Sequence, residues 1–163
     1  MTTASVVLAT MIDPEHGLRI EAMTDSGVTL AFDTPGGGGS PAAVEPTASL
    51  LAALAACTSM DVGSILRKKR QRATSYQIEV RAEKANEHPR VFTSISVEHQ
   101  VSGEVEPEAL RRAIELSATR YCPVNAMLSR AVRIEHRYRL RRVGVDDVGA
   151  LVAVTGPEAV RVV

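Results

Sequence analysis

Residues 46–70, PTASLLAALAACTSMDVGSILRKKR, constrain this chain more than any other segment. Leu50, Leu51, Leu54, Cys57, Thr58, Val62, Ile65 and Leu66 recur at three- and four-residue spacing, the repeat of one helix face. Pro46 suits the first helical position, where its missing N–H costs nothing. The basic end, Arg67 to Arg70, complements the helix dipole. A helix of this length spans roughly 37 Å. Its first half, LLAALAA, is apolar nearly all round, so it has to be covered on most sides. In a chain of 163 residues, a second subunit is expected to supply part of that cover.

The flanking segments are of a different kind. Residues 5–12, 17–24 and 28–33 read as short strands, with Ser26-Gly27 turning between the last two. The segment 35–45 holds four consecutive glycines and reads as a loop of the kind that borders sites. Residues 75–86 and 91–102 alternate apolar and polar around the link EHPR and predict an antiparallel hairpin, with Ile95, Val97 and His99 on one face. A helix follows over 106–120, then Tyr121 and Cys122, a short helix opened by Pro123, and a strand over 131–141. The order predicts an α+β fold with segregated layers, not alternating βαβ units. A single domain is expected over 1–143, with 144–163 an extension whose weak patterning gives it no place.

Charge and composition exclude several function classes. Nineteen basic residues balance nineteen acidic ones, and aromatics make up 3%, so neither nucleic acid nor an anionic surface is favoured as a partner. No apolar run is read as long enough to span a membrane, and the N-terminus lacks a signal-peptide pattern. The expected setting is cytoplasmic, where structural disulfides are rare and transient catalytic ones occur.

The chemistry rests on the two cysteines, Cys57 and Cys122. Cys57 lies mid-helix, where a small buried hydrophobe is the plain alternative to a reactive thiol. Cys122 stands just before Pro123, at a helix start whose N–H groups favour a thiolate. Only the fold can bring them together. Asp61 falls one turn after Cys57, where a carboxylate raises a thiol pKa, and is expected to cap, pair with an arginine or face solvent. His16, His88, His99 and His136 are dispersed, and no metal site is expected.

The runs LLAALAACTSMDVGSILRKKRQ, EHPRVFT and AIELSATRYCPVNAMLS together resemble the OsmC/Ohr family of peroxide-reducing thiol proteins, the OsmC-like branch in particular, over about Gly17 to Leu140. The resemblance implies an intertwined homodimer with long central Cys-bearing helices flanked by antiparallel sheets. It implies reduction of organic hydroperoxides without a cofactor, with a lipoyl-type or thioredoxin-type dithiol as reductant. By position, Cys57 corresponds to the peroxidatic cysteine, Cys122 to the resolving one, and Arg19 to an N-terminal arginine that stabilises the thiolate. The sequence departs from the family at one point. Members with peroxidase chemistry carry a glutamate soon after the proline that opens the long helix; here Thr47, Ala48 and Ser49 follow Pro46, and Glu45 precedes it. That departure keeps open a dimer that binds a small hydrophobic or thiol ligand without efficient peroxidase activity, and a structural dimer with inert thiols.

Overall fold

In the computed structural model of the chain, residues 4–34 and 43–157 are described. Most of the Gly/Pro-rich segment 35–45 lies outside the described residues. The chain divides into two compact units, Met1–Leu50 and Leu51–Val163.

In the first unit, β1 (Val7–Met11), β2 (Ile20–Thr24) and β3 (Thr29–Phe32) form an antiparallel sheet in sequence order. The turn at Ser26-Gly27 forms as expected: Thr24 N–H donates to Val28 O at 2.9 Å, and Gly27 takes φ +82° at no steric cost. Pairing of β1 with β2 ends at Met11↔Ile20, so Gly17 to Arg19 belong to the link rather than to a strand. Arg19 thus flanks β2, its carbonyl accepting from Ile12 N–H at 3.0 Å.

In the second unit, β4 (Arg72–Lys84), β5 (Phe92–Glu104), β6 (Arg133–Arg142) and β7 (Val145–Thr155) form a sheet in that order. The β4–β5 hairpin is antiparallel, as the alternation predicts. The expectation of purely antiparallel sheets does not hold, because β5 and β6 run parallel. The reason is the connection. Between them lie α2 (Pro107–Leu116), a π-helical turn (Ser117–Tyr121) and α3 (Pro123–Leu128), a crossover that returns the chain to the end where β5 began. The segment after Gly144, unplaced from sequence, pairs antiparallel with β6 from Leu140↔Val148 to Ile134↔Thr155.

Helix α1 (Pro46–Lys68) matches the sequence reading. By length and composition it could cross a membrane, contrary to the expectation from sequence. One stripe of it nevertheless packs in a protein core: Leu54, Thr58, Val62 and Leu66 are buried at three- and four-residue spacing. Val62 and Leu66 meet Leu110, Ala113 and Ile114 of α2 and Val101, Tyr138 and Leu140 of the sheet. Leu54 packs in a second cluster with Ile95, Val97, Val132, Ile134 and Cys122.

Thr58 is fully buried in this stripe, and its hydroxyl has no hydrogen-bond partner among the described residues. A buried unpaired hydroxyl costs about 1–3 kcal/mol. Thr58→Val, which keeps the shape and removes the hydroxyl, is expected to raise unfolding stability by about 1 kcal/mol, read as a higher urea midpoint at unchanged slope.

Candidate active site

The two cysteines come together. Cys57 is carried by α1, on its half-buried flank beside Leu54 and Thr58. Cys122 is carried by the crossover. The π-helical turn closes with Cys122 N–H donating to Ser117 O at 3.0 Å, and Pro123 then opens α3 with Cys122 as the residue before it. Cys122 is buried, and its sulfur accepts from Asn125 N–H at 3.3 Å. This is the helix-start position that the Cys-Pro pair predicts. Both cysteines are free thiols, and the Cys57 thiol lies in hydrogen-bond contact with Cys122.

Asp61 joins them. One carboxylate oxygen and the two sulfurs all lie within 4.8 Å of one another. Asp61 is half-buried and accepts from the Ser117 hydroxyl at 2.9 Å, so the expectation that it would cap, pair with an arginine or face solvent does not hold. The reason is the π-helical turn, which presents buried Ser117 to α1 56 positions earlier in sequence.

The electrostatics keep Cys57 protonated. Burial pushes its thiol up to about 11, and the neighbouring Cys122 and the Asp61 carboxylate add to the rise, against a lowering by the Val124 backbone N–H. Thiolate is the reactive species. Alkylation of Cys57 by iodoacetamide is therefore expected to accelerate about tenfold per pH unit between pH 7 and 9, without a plateau below about pH 10. Asp61→Asn, which removes the charge and keeps an acceptor for Ser117, is expected to make alkylation several-fold faster at pH 7. The pH profile of the rate at Cys57 in the protein with both cysteines present, read by peptide mass mapping of the alkylated site, checks both.

Behind the thiols runs a buried polar chain. The Tyr76 hydroxyl lies 2.7 Å from His99 Nδ1, His99 Nε2 lies 3.4 Å from His136 Nδ1, and His136 Nε2 lies 2.9 Å from Asn125 Oδ1. Asn125 Nδ2 donates to Ala118 O at 2.7 Å and to Thr155 Oγ1 at 3.2 Å. The amide oxygen can only accept, so His136 carries its proton on Nε2. Its Nδ1 then accepts from His99 Nε2–H, and His99 Nδ1 accepts from the tyrosine. Every link has one donor and one acceptor with both rings neutral.

These residues were not singled out from sequence as a group. His99 sat on the apolar face of its strand, and that was the available signal. His136 is brought beside it by the parallel pairing of β5 with β6, which sequence did not predict. Both histidines are fully buried, and burial holds His99 at about 3, helped by His136, and His136 at about 4. The folded state therefore binds fewer protons than the unfolded chain, whose histidines titrate near 6.5. This contribution is complete above about pH 6.5 and drains away as pH falls toward 4 and then 3. The urea midpoint is expected to fall steadily from pH 6.5 to pH 4.

The remaining expected site residues belong to the first unit. Arg19 Nη2 pairs with Glu21 Oε1 at 3.4 Å, both side chains about two-fifths exposed. Glu45 immediately precedes α1 and accepts from the Thr47 hydroxyl at 3.3 Å.

The comparisons with known proteins follow this architecture. The family model described as OsmC-like protein matches residues 37–137. Protein YhfA of Escherichia coli K12 is 35% identical over 126 residues, covering 77% of this chain and 92% of YhfA. An OsmC-like protein from Mycoplasma pneumoniae superposes with a TM-score of 0.71 at 16% identity, over 86% of this chain and 99% of that one. An organic hydroperoxide resistance protein from Elizabethkingia anophelis does so with a TM-score of 0.62 at 15% identity, over 87% and 99%. At these identities the two structures speak for the α+β fold, and the family model together with YhfA shows that the chain belongs to the OsmC-like protein family.

Proposed function

We propose that this protein is a homodimeric, cytoplasmic thiol peroxidase that reduces organic hydroperoxides. The observation that carries the reading is the meeting of Cys57 and Cys122, from α1 and the crossover, with sulfurs inside 4.8 Å. Family membership adds a peroxide-related redox setting, since a relative of the same fold is described as an organic hydroperoxide resistance protein.

The Cys57 thiolate attacks the terminal peroxide oxygen, the O–O bond breaks, and the alcohol leaves after taking up a proton. Cys57 is left as a sulfenic acid. The Cys122 sulfur displaces its hydroxyl as water, forming the Cys57–Cys122 disulfide. A dithiol reductant of the lipoyl or thioredoxin type restores both thiols by exchange, becoming a disulfide itself. Because Cys57 is held as a thiol in the resting chain, the reaction needs a cation to favour the thiolate and the departing alkoxide. Arg19 is assigned that role and Glu45 the role of orienting it, in place of the acid missing after Pro46.

A second copy of the chain is part of the reading. Val7 and Leu8 of β1 in the first unit are each 61% exposed, and Met60 of α1 in the second unit is 74% exposed, so each unit carries exposed apolar side chains suited to cover by a partner subunit.

A reading without efficient turnover, in which the site binds a small hydrophobic or thiol ligand, is favoured by one observation: Asp61 and burial both oppose the Cys57 thiolate. One experiment separates the two. Reduced protein is mixed with one equivalent of an organic hydroperoxide, quenched with an alkylating agent and read by intact mass. The peroxidase reading expects rapid Cys57–Cys122 disulfide formation, no reaction in Cys57→Ser, arrest at the sulfenic acid in Cys122→Ser, and a loss of about 10²–10³ in rate in Arg19→Ala. Two unreacted thiols after long exposure would turn the assignment to the ligand-binding reading.

A further inference from the structure

We propose that Cys57, Asp61 and Cys122 form a binding site for a thiophilic divalent cation of the zinc type, with three protein ligands and an open fourth position.

The donor set comes first. Two sulfurs and one carboxylate oxygen converge within 4.8 Å of one another. In tetrahedral zinc sites, bonds of about 2.3 Å to sulfur and about 2.0–2.2 Å to oxygen place the ligand atoms roughly 3.5–3.8 Å apart. Closing the cluster onto an ion therefore takes side-chain movements of about 1 Å or less. Cys57 and Asp61 stand one turn apart on α1, so a single rigid helix face supplies two ligands. Cys122 approaches from the crossover, so the ion would tie two elements together.

The surroundings are built as ligand support. The Ser117 hydroxyl donates to one oxygen of Asp61 at 2.9 Å, which orients the carboxylate beside the sulfurs. The Asn125 N–H donates to the Cys122 sulfur at 3.3 Å, and the Val124 backbone N–H favours the Cys57 thiolate. Asp61 and Cys122 thus each have a fixed hydrogen-bond donor. Asn125 is itself locked by His136, Ala118 and Thr155.

Ligand chemistry sets the class of ion. Two thiolates with one carboxylate select zinc or cadmium over calcium and magnesium, which take oxygen ligands. Binding releases the two thiol protons, leaving a cation of charge +2 among three anionic ligands. The half-exposed side of Cys57 leaves the fourth position to water or to an exogenous ligand. The bound ion occupies both sulfurs, so metal binding and peroxide oxidation exclude each other at this site.

The test reads binding without peroxide, so its outcome is independent of the peroxidase reading. Reduced, chelator-treated full-length protein is titrated anaerobically with cadmium, following the ultraviolet sulfur-to-cadmium charge-transfer band, and zinc affinity is taken by competition with a chromophoric chelator. The expected result is saturation at one ion per chain with release of two protons. The band is expected to be lost in Cys122→Ser and in the peroxide-oxidised disulfide form. Asp61→Asn, which keeps the Ser117 bond, is expected to weaken zinc about 10- to 100-fold while two alkylatable thiols remain. The absence of a band in the wild type, one ion per two chains, or wild-type affinity in Asp61→Asn overturns the three-ligand site. Should Asp61→Asn fail to fold, the stoichiometry and proton count of the wild type against Cys122→Ser decide the matter.

Discussion

Asn125 is the residue on which the site depends. Its side chain donates to Ala118 O in the π-helical turn and to Thr155 Oγ1 on β7, and accepts from His136 on β6, while its backbone N–H donates to the Cys122 sulfur. One buried amide therefore ties the cysteine-bearing crossover to two strands of the sheet. Leaving any of these groups unpaired in the core costs about 1–3 kcal/mol, which makes a single arrangement of the crossover strongly preferred. The position of Cys122 opposite Cys57 follows from that preference.

The polar chain beyond Asn125 explains why two histidines and a tyrosine occupy an otherwise apolar layer. His99 and His136 sit among Ile95, Val97, Val101, Ile134 and Leu140, a setting in which a charged ring would be heavily penalised. Neutral rings linked in one direction from Tyr76 to Asn125 satisfy every donor and acceptor. The cost of that solution is sensitivity to acid, since protonating either ring breaks the directionality as well as burying a charge.

On the thiol side, the same crossover brings Ser117 to Asp61 and so places a carboxylate beside two sulfurs. That charge works against thiolate formation at Cys57, and a cation relieves it. In the proposed peroxide chemistry an arginine fills that role, and in the proposed metal site a divalent ion does.

Much of this was legible in the residues themselves. The three- and four-residue apolar repeat from Leu50 to Leu66 specifies α1, the alternation in 75–86 and 91–102 specifies the hairpin, and Cys-Pro-Val specifies a helix start with a sulfur before it. Each is a local pattern, set by helix and strand periodicity and by the fixed backbone angle of proline. The pairing of Cys57 with Cys122 could be named from family resemblance, but nothing local carries it. The parallel alignment of β5 with β6, the strand made by residues 145–155, the approach of Ser117 to Asp61 and the meeting of His99 with His136 were decided only by tertiary structure. They depend on the direction in which the crossover returns the chain to the sheet, and on burial that leaves each polar group a partner or a penalty. Neither is encoded in any short window of sequence.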